Sequence, residues 1–127
     1  MNHLIGLGIC YSKKGDYADA LNEFQHCVEI NPSNRYVQAA IAGCYKRLGK
    51  ETEYIKQVDI VQQAKPATYE DEYLQAGIEA LCGNTEKAIP LLNAALEKNL
   101  RSKESVRNDP DFDFISNDPA FVALIEK

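Results

Sequence analysis

Gly15, Gly49 and Gly83 stand 34 residues apart, and a fixed period of that length is produced by helical hairpins stacked one on the next. Tyr11 and Tyr45, Cys10 and Cys44, and Pro32 and Pro66 keep the same offset. Ala20 and Ala88 keep it across one skipped repeat. A scaffold of this kind holds another molecule, and the spacing defines that class of work without naming the guest.

The apolar residues supply the helices. Leu4, Ile5, Leu7, Ile9, Cys10 and Tyr11 predict an amphipathic helix over 2–14 that stops at Gly15-Asp16. Tyr17, Ala20, Leu21, Phe24, Cys27, Val28 and Ile30 predict a second over 17–30, closed by Asn31-Pro32 because proline excludes its predecessor from helical geometry. The next pair is expected at 36–48 and 53–64, and a third at 69–81 and 86–99, with Pro90 removing a backbone donor and kinking the last helix.

Leu7-Gly8, Tyr11, Ala20, Phe24 and Pro32 stand where the tetratricopeptide repeat has its Leu-Gly, Tyr, Ala, Phe and Pro signature, so the chain resembles that family. Leu4 takes the usual tryptophan position and Cys27 replaces alanine. The second repeat keeps Ile41-Ala42, Tyr45, Gly49 and Pro66 but has Tyr54 for alanine and Val58 for phenylalanine. The third keeps Ala76, Gly83, Ala88, Leu92 and Ala95, while Gln75 and Glu79 at apolar positions imply a first helix that is rotated or faces solvent on that side. The fold expected from the resemblance is all-α, a right-handed α-solenoid of three hairpins (1–34, 35–68, 69–102).

Residues 103–127 fall outside the period. Asp109-Pro110 and Asp118-Pro119 each pair a capping acid with a proline at the first helical position, predicting two short helices with Phe112, Phe114, Ile115, Phe121, Val122, Leu124 and Ile125 on their apolar side. The segment resembles the closing stretch that follows the last repeat in many tetratricopeptide proteins, a lid over the exposed face of the final hairpin. At the other end no N-cap residue or polar helix precedes Leu4. The outer face of the first hairpin therefore belongs to a longer array or pairs with another molecule, the longer array being the favoured reading.

Composition narrows the partners. At 45% hydrophobic and 26% charged, the chain has the makeup of a globular domain. Its net charge of −5 and pI near 5.0 lack the basic footprint that nucleic acid or an anionic lipid surface demands. No stretch approaches the roughly 20 apolar residues of a membrane span, and no secretory signal opens the chain, so a cytoplasmic protein is expected. Cys10, Cys27, Cys44 and Cys82 lack the spacing of a zinc or redox motif and read as reduced thiols. With no phosphate loop, metal-ligand pair or nucleophile motif, neither catalysis nor a cofactor is expected.

The resemblance implies a concave groove lined by first helices, with side chains at Ile5, Ile9 and Lys13, at Tyr36, Ala39, Gly43, Lys46 and Arg47, and at Tyr73 and Gly77. An apolar centre with two tyrosines and a basic edge suits a peptide or amphipathic helix bearing apolar anchors and a few acids. The alternative is that Ile5 and Ile9 pack against the lid or a neighbour and the basic residues are solvated helix ends. The clamp that related domains close on acidic chaperone tails is not carried over: its positions hold Ile5, Ile9, Ala40, Glu70 and Leu74, none of which offers a side-chain donor to a carboxylate. The function implied is a non-catalytic protein-interaction scaffold. Self-association through the first hairpin or the groove, and the docking domain of a larger enzyme, are the alternatives.

Overall fold

The computed structural model describes residues 2–126, and among them every regular element is helical. Helices α1 (Asn2–Lys14), α2 (Tyr17–Ile30), α3 (Arg35–Arg47), α4 (Glu51–Gln63), α5 (Glu72–Leu81) and α6 (Thr85–Glu97) pair consecutively into three hairpins. They are followed by α7 (Lys103–Arg107), a 3-10 helix (Pro110–Ile115) and α8 (Pro119–Glu126). The chain divides into two compact units, Met1–Lys65 and Pro66–Lys127.

The periodic glycines make the hairpins possible. Gly15, Gly49 and Gly83 adopt φ of 84°, 75° and 75°, the left-handed region that other residues enter only at a cost. At each, two backbone bonds close the helix end: Gly15 N–H donates to Ser12 O at 3.1 Å and Asp16 N–H to Tyr11 O at 2.9 Å. The same pair recurs at Gly49-Lys50 and at Gly83-Asn84, satisfying carbonyls that would otherwise be orphaned. Asn99, at φ 59°, repeats the device at the end of α6.

In the first unit α2 and α3 share a core of Ala20, Phe24, Cys27, Val37, Ala40, Ile41 and Cys44, on which residues of α1 also pack. Gly8 is the closest approach within the first hairpin. A Cβ placed there would lie 2.5–2.9 Å from three carbons of the Phe24 ring, so only glycine lets α1 settle on α2. Around the atypical Tyr54 and Val58, α4 docks differently: Gln57, buried, donates from its amide to the Gln38 carbonyl at 3.0 Å, tying α4 to α3 through a polar contact.

The second unit is built around Ala76, Ala80, Ala88, Leu92, Val106, Phe112, Ile115, Phe121 and Ile125, so the closing segment supplies most of the large core side chains. Both predicted capping acids act as such. Asp109 accepts from Asp111 N–H and Asp118 from Ala120 N–H, each at 2.9 Å. Three features depart from expectation. The first helix of the third hairpin starts at Glu72, not near Tyr69, because Asp71 caps it by accepting from Leu74 N–H at 2.8 Å. Of the two alternatives for Glu79, a rotated helix or a solvent-facing side, the second does not hold: Glu79 is buried with the rest of α5 from Ala76 onward. And α7, unforeseen, starts at Ser102, whose hydroxyl accepts from Ser105 N–H at 3.1 Å. Pro90 lies inside α6, which runs through it.

Candidate partner-binding site

Within the first unit the anticipated groove residues separate into three groups. Ile5 and Ile9, one turn apart on α1, and Tyr36 on α3 rest on the core cluster with one side and stay half-buried, keeping apolar surface in contact with water. Ala39 and Gly43 are buried, Ala39 completely, so they form floor and offer no side chain to a guest. The basic residues form a third group. Lys13 is exposed at the end of α1. Lys46 sets its ammonium 4.8 Å from the centre of the Tyr54 ring on α4, and Arg47 lies 5.0 Å over Tyr17 on α2. Both are thus held by cation–π contacts against second helices, where the sequence suggested a single basic edge.

The second unit differs. There the 3-10 helix packs along α5. Tyr73 meets Phe112 with ring centroids 5.7 Å apart, donates its hydroxyl to Asp109, and carries the Arg101 guanidinium 4.8 Å from its ring centre. Gly77 faces Asp111, whose Oδ2 would sit 3.4 Å from a Cβ at that position. In this unit Tyr73 and Gly77 are therefore contacts of the chain's own closing segment. The Tyr73 hydroxyl is held above its ordinary value, first by burial, then by its bond to Asp109 and the charges of Asp109 and Asp111, with Arg101 opposing. Glu70, placed at a groove position by the resemblance, sits in the turn before α5. It is buried, and its carboxylate accepts from Ala67 N–H at 3.1 Å.

None of the four cysteines is in a disulfide. Cys10 is exposed, and Cys27, Cys44 and Cys82 are buried. Burial raises the Cys27 thiol above its ordinary value, which makes it inert rather than nucleophilic. Among the described residues no group of three His, Cys, Asp or Glu is placed to hold a metal ion, and no helix is long and apolar enough to cross a membrane.

A fold of paired helices turning on left-handed glycines, with half-buried apolar residues on its first helices, defines an α-helical repeat protein. The family model for the tetratricopeptide repeat matches residues 4–34, nearly all of the first hairpin. That match, with the paired helices that continue beyond it, supports a tetratricopeptide-repeat assignment. Repeats of this family are typically non-catalytic modules for protein–protein interaction. No curated protein matches the chain.

Proposed function

We propose that this chain is a non-catalytic, cytoplasmic adaptor whose first unit holds a peptide or helical segment of a partner protein against α1 and α3. Ile5, Ile9 and Tyr36 are the anchors, Ala39 and Gly43 the floor beneath them, and Lys13, exposed on the same helix as the two isoleucines, a cation for a carboxylate of the guest. The observation that carries this reading is the half-burial of Ile5, Ile9 and Tyr36. These side chains are fixed by the core on one side, so they lose little rotamer freedom when a guest covers the other. Tyrosine adds wide contact area and a polar tip, a combination enriched among residues that dominate interface energies. Four cysteines outside any disulfide suit a reducing compartment.

The test is to select peptides on the full chain from a random displayed library and to compare their affinity for the parent and for Tyr36→Ala. Selected sequences are expected to carry apolar anchors and acids. Loss of Tyr36 is expected to weaken them by about 2 kcal/mol, or roughly 30-fold. Equal affinity for the folded variant would remove this face from the function.

A further inference from the structure

The second unit shows what a first helix of this chain holds against its groove positions. Residues 109–115 lie on Tyr73 and Gly77, which stand one turn apart on α5. Phe112 sets its ring 5.7 Å from that of Tyr73, and Asp109 accepts from the Tyr73 hydroxyl. Asp111 lies over Gly77, its Oδ2 3.4 Å from where a Cβ would stand. Two carboxylates and a ring are thus fitted to one tyrosine and one bare stretch of helix. The segment also brings its own shape. Pro110 opens the 3-10 helix, Asp109 accepts from Asp111 N–H at 2.9 Å, and Phe112 N–H donates to Asp109 O at 3.2 Å. None of these bonds involves α5, so a sequence of this kind is turned before it docks and loses little freedom in docking.

The first unit has corresponding parts and a more favourable charge. Ala39 and Gly43 stand one period before Tyr73 and Gly77, and Ile5 and Ile9 one period earlier again. Tyr36, one turn before Ala39 on α3, supplies the half-buried ring, and Gly43 leaves the register position of Gly77 bare. Helix α5 carries Glu72 and Glu79 and no lysine or arginine, so the cation near its acidic segment is Arg101, from outside the helix. Helices α1 and α3 hold no acid at all. They carry Lys13, Lys14, Arg35, Lys46 and Arg47, in a chain whose net charge is −5. Such a local excess of base favours an acidic guest. We infer that the guest of the first unit is an acidic-aromatic turn of the Asp-Pro-Asp-Phe type, carried by a partner protein. This rests on the groove reading above and narrows it to a class of ligand. The chain's own segment is committed elsewhere, since Phe112 is 1% exposed in the core of the second unit.

The probe is a synthetic peptide of residues 108–116, acetylated, amidated and fluorescently tagged, titrated against the full chain by anisotropy and by amide chemical shifts. Saturable binding with shifts on α1 and α3 is expected. Tyr36→Ala should weaken it by roughly 30-fold. Lys13→Glu, at an exposed position that leaves packing untouched, should weaken it by up to about fivefold, and more salt should weaken it as well. Phe112→Ala within the peptide should cost about tenfold. No binding overturns the inference, as do shifts confined to the second unit, which would mean exchange with the resident segment. Equal binding by a scrambled peptide of the same composition also overturns it, by reducing recognition to net charge. Library-selected peptides that need Tyr36 while this probe fails would sink the ligand class alone. Indifference of both to Tyr36→Ala would sink the groove with it.

Discussion

Helices α1 and α5 are the first helices of hairpins that close on the same glycine turn, yet one is open and the other sealed. From Ala76 to Leu81 every residue of α5 is buried, whereas α1 leaves Gly6, Leu7 and Cys10 exposed. The repeat does not explain this, since both helices obey it. One element packed on α5 is the 3-10 helix Pro110–Ile115, which lies against Tyr73 and Gly77 and brings Phe112 into the core of its unit. The period encodes a hairpin and its turn, while closure of a hairpin's face is encoded separately, in residues that do not repeat.

Removing the closure should therefore cost more than changing the glycines of α1. Phe112 is 1% exposed and touches both Tyr73 and Phe121. Phe112→Ala is expected to destabilise the second unit by about 3–5 kcal/mol, the usual toll of an aromatic cavity. Hydrogen exchange should quicken in α5 and α6 and stay unchanged in α1–α3. Equal quickening in both units would mean that closure is not a local property of the second. A smaller loss is expected at Gly8→Leu, where the added side chain starts inside the Phe24 ring's volume and overpacking costs roughly 1–3 kcal/mol. Gly6→Ala, two residues away in open space, should instead stabilise by about 0.5–1 kcal/mol. Melting curves of the two variants moving in the same direction would show that α1 is rotated from the phase described.

What the sequence made legible follows the same division. Glycine turns and proline stops located α1 to α4 within two residues of their observed ends because a backbone requirement, φ above zero or a missing donor, acts at a single residue. The capping acids Asp109 and Asp118 were readable for the same reason. The third hairpin was not: its helix start depends on Asp71 and on Glu70 folding back to Ala67, and the burial of Glu79 depends on its surroundings, which no period records. Helix α7 has only five residues, too few to show periodicity. Among site residues, Tyr73 and Gly77 were correctly placed on a first helix, but that the lid would lie on them is a long-range fact. Lys46 and Arg47 fold onto tyrosines whose positions depend on neighbouring helices.

Alkaline titration sharpens the contrast between the tyrosine under the lid and the open unit. The ordinary phenol value is 10.0, and Tyr73 is held above it. Between those two values the unfolded chain has released this proton and the native state still holds it. The stabilising contribution is thus complete below pH 10 and declines as pH rises, by about 1.4 kcal/mol per pH unit. Unfolding of the second unit followed by denaturant at stepped pH should show that decline, and Tyr73→Phe should flatten it. A decline that persists in the variant would assign the effect to other groups.

The smallest expected effect tests how far the turn rule extends beyond the period. Asn99 ends α6 with the bonds that the three glycines make, its N–H donating to Leu96 O at 3.1 Å and Leu100 N–H to Ala95 O at 3.0 Å, at φ 59°. Asparagine tolerates this region better than other side-chain-bearing residues but less well than glycine. Asn99→Gly relieves that cost and gives back part of it through the greater freedom of glycine in the unfolded chain, so a gain of a few tenths of a kcal/mol is expected. Asn99→Ala keeps the cost without asparagine's tolerance and should lose about 1 kcal/mol. Denaturation midpoints ordered Gly above Asn above Ala would make residue 99 a fourth instance of the glycine turn, sited where the period has no glycine. An asparagine more stable than glycine would mean that its side chain holds the link to α7 by a contact of its own, and that the closing segment brings a turn chemistry distinct from that of the hairpins.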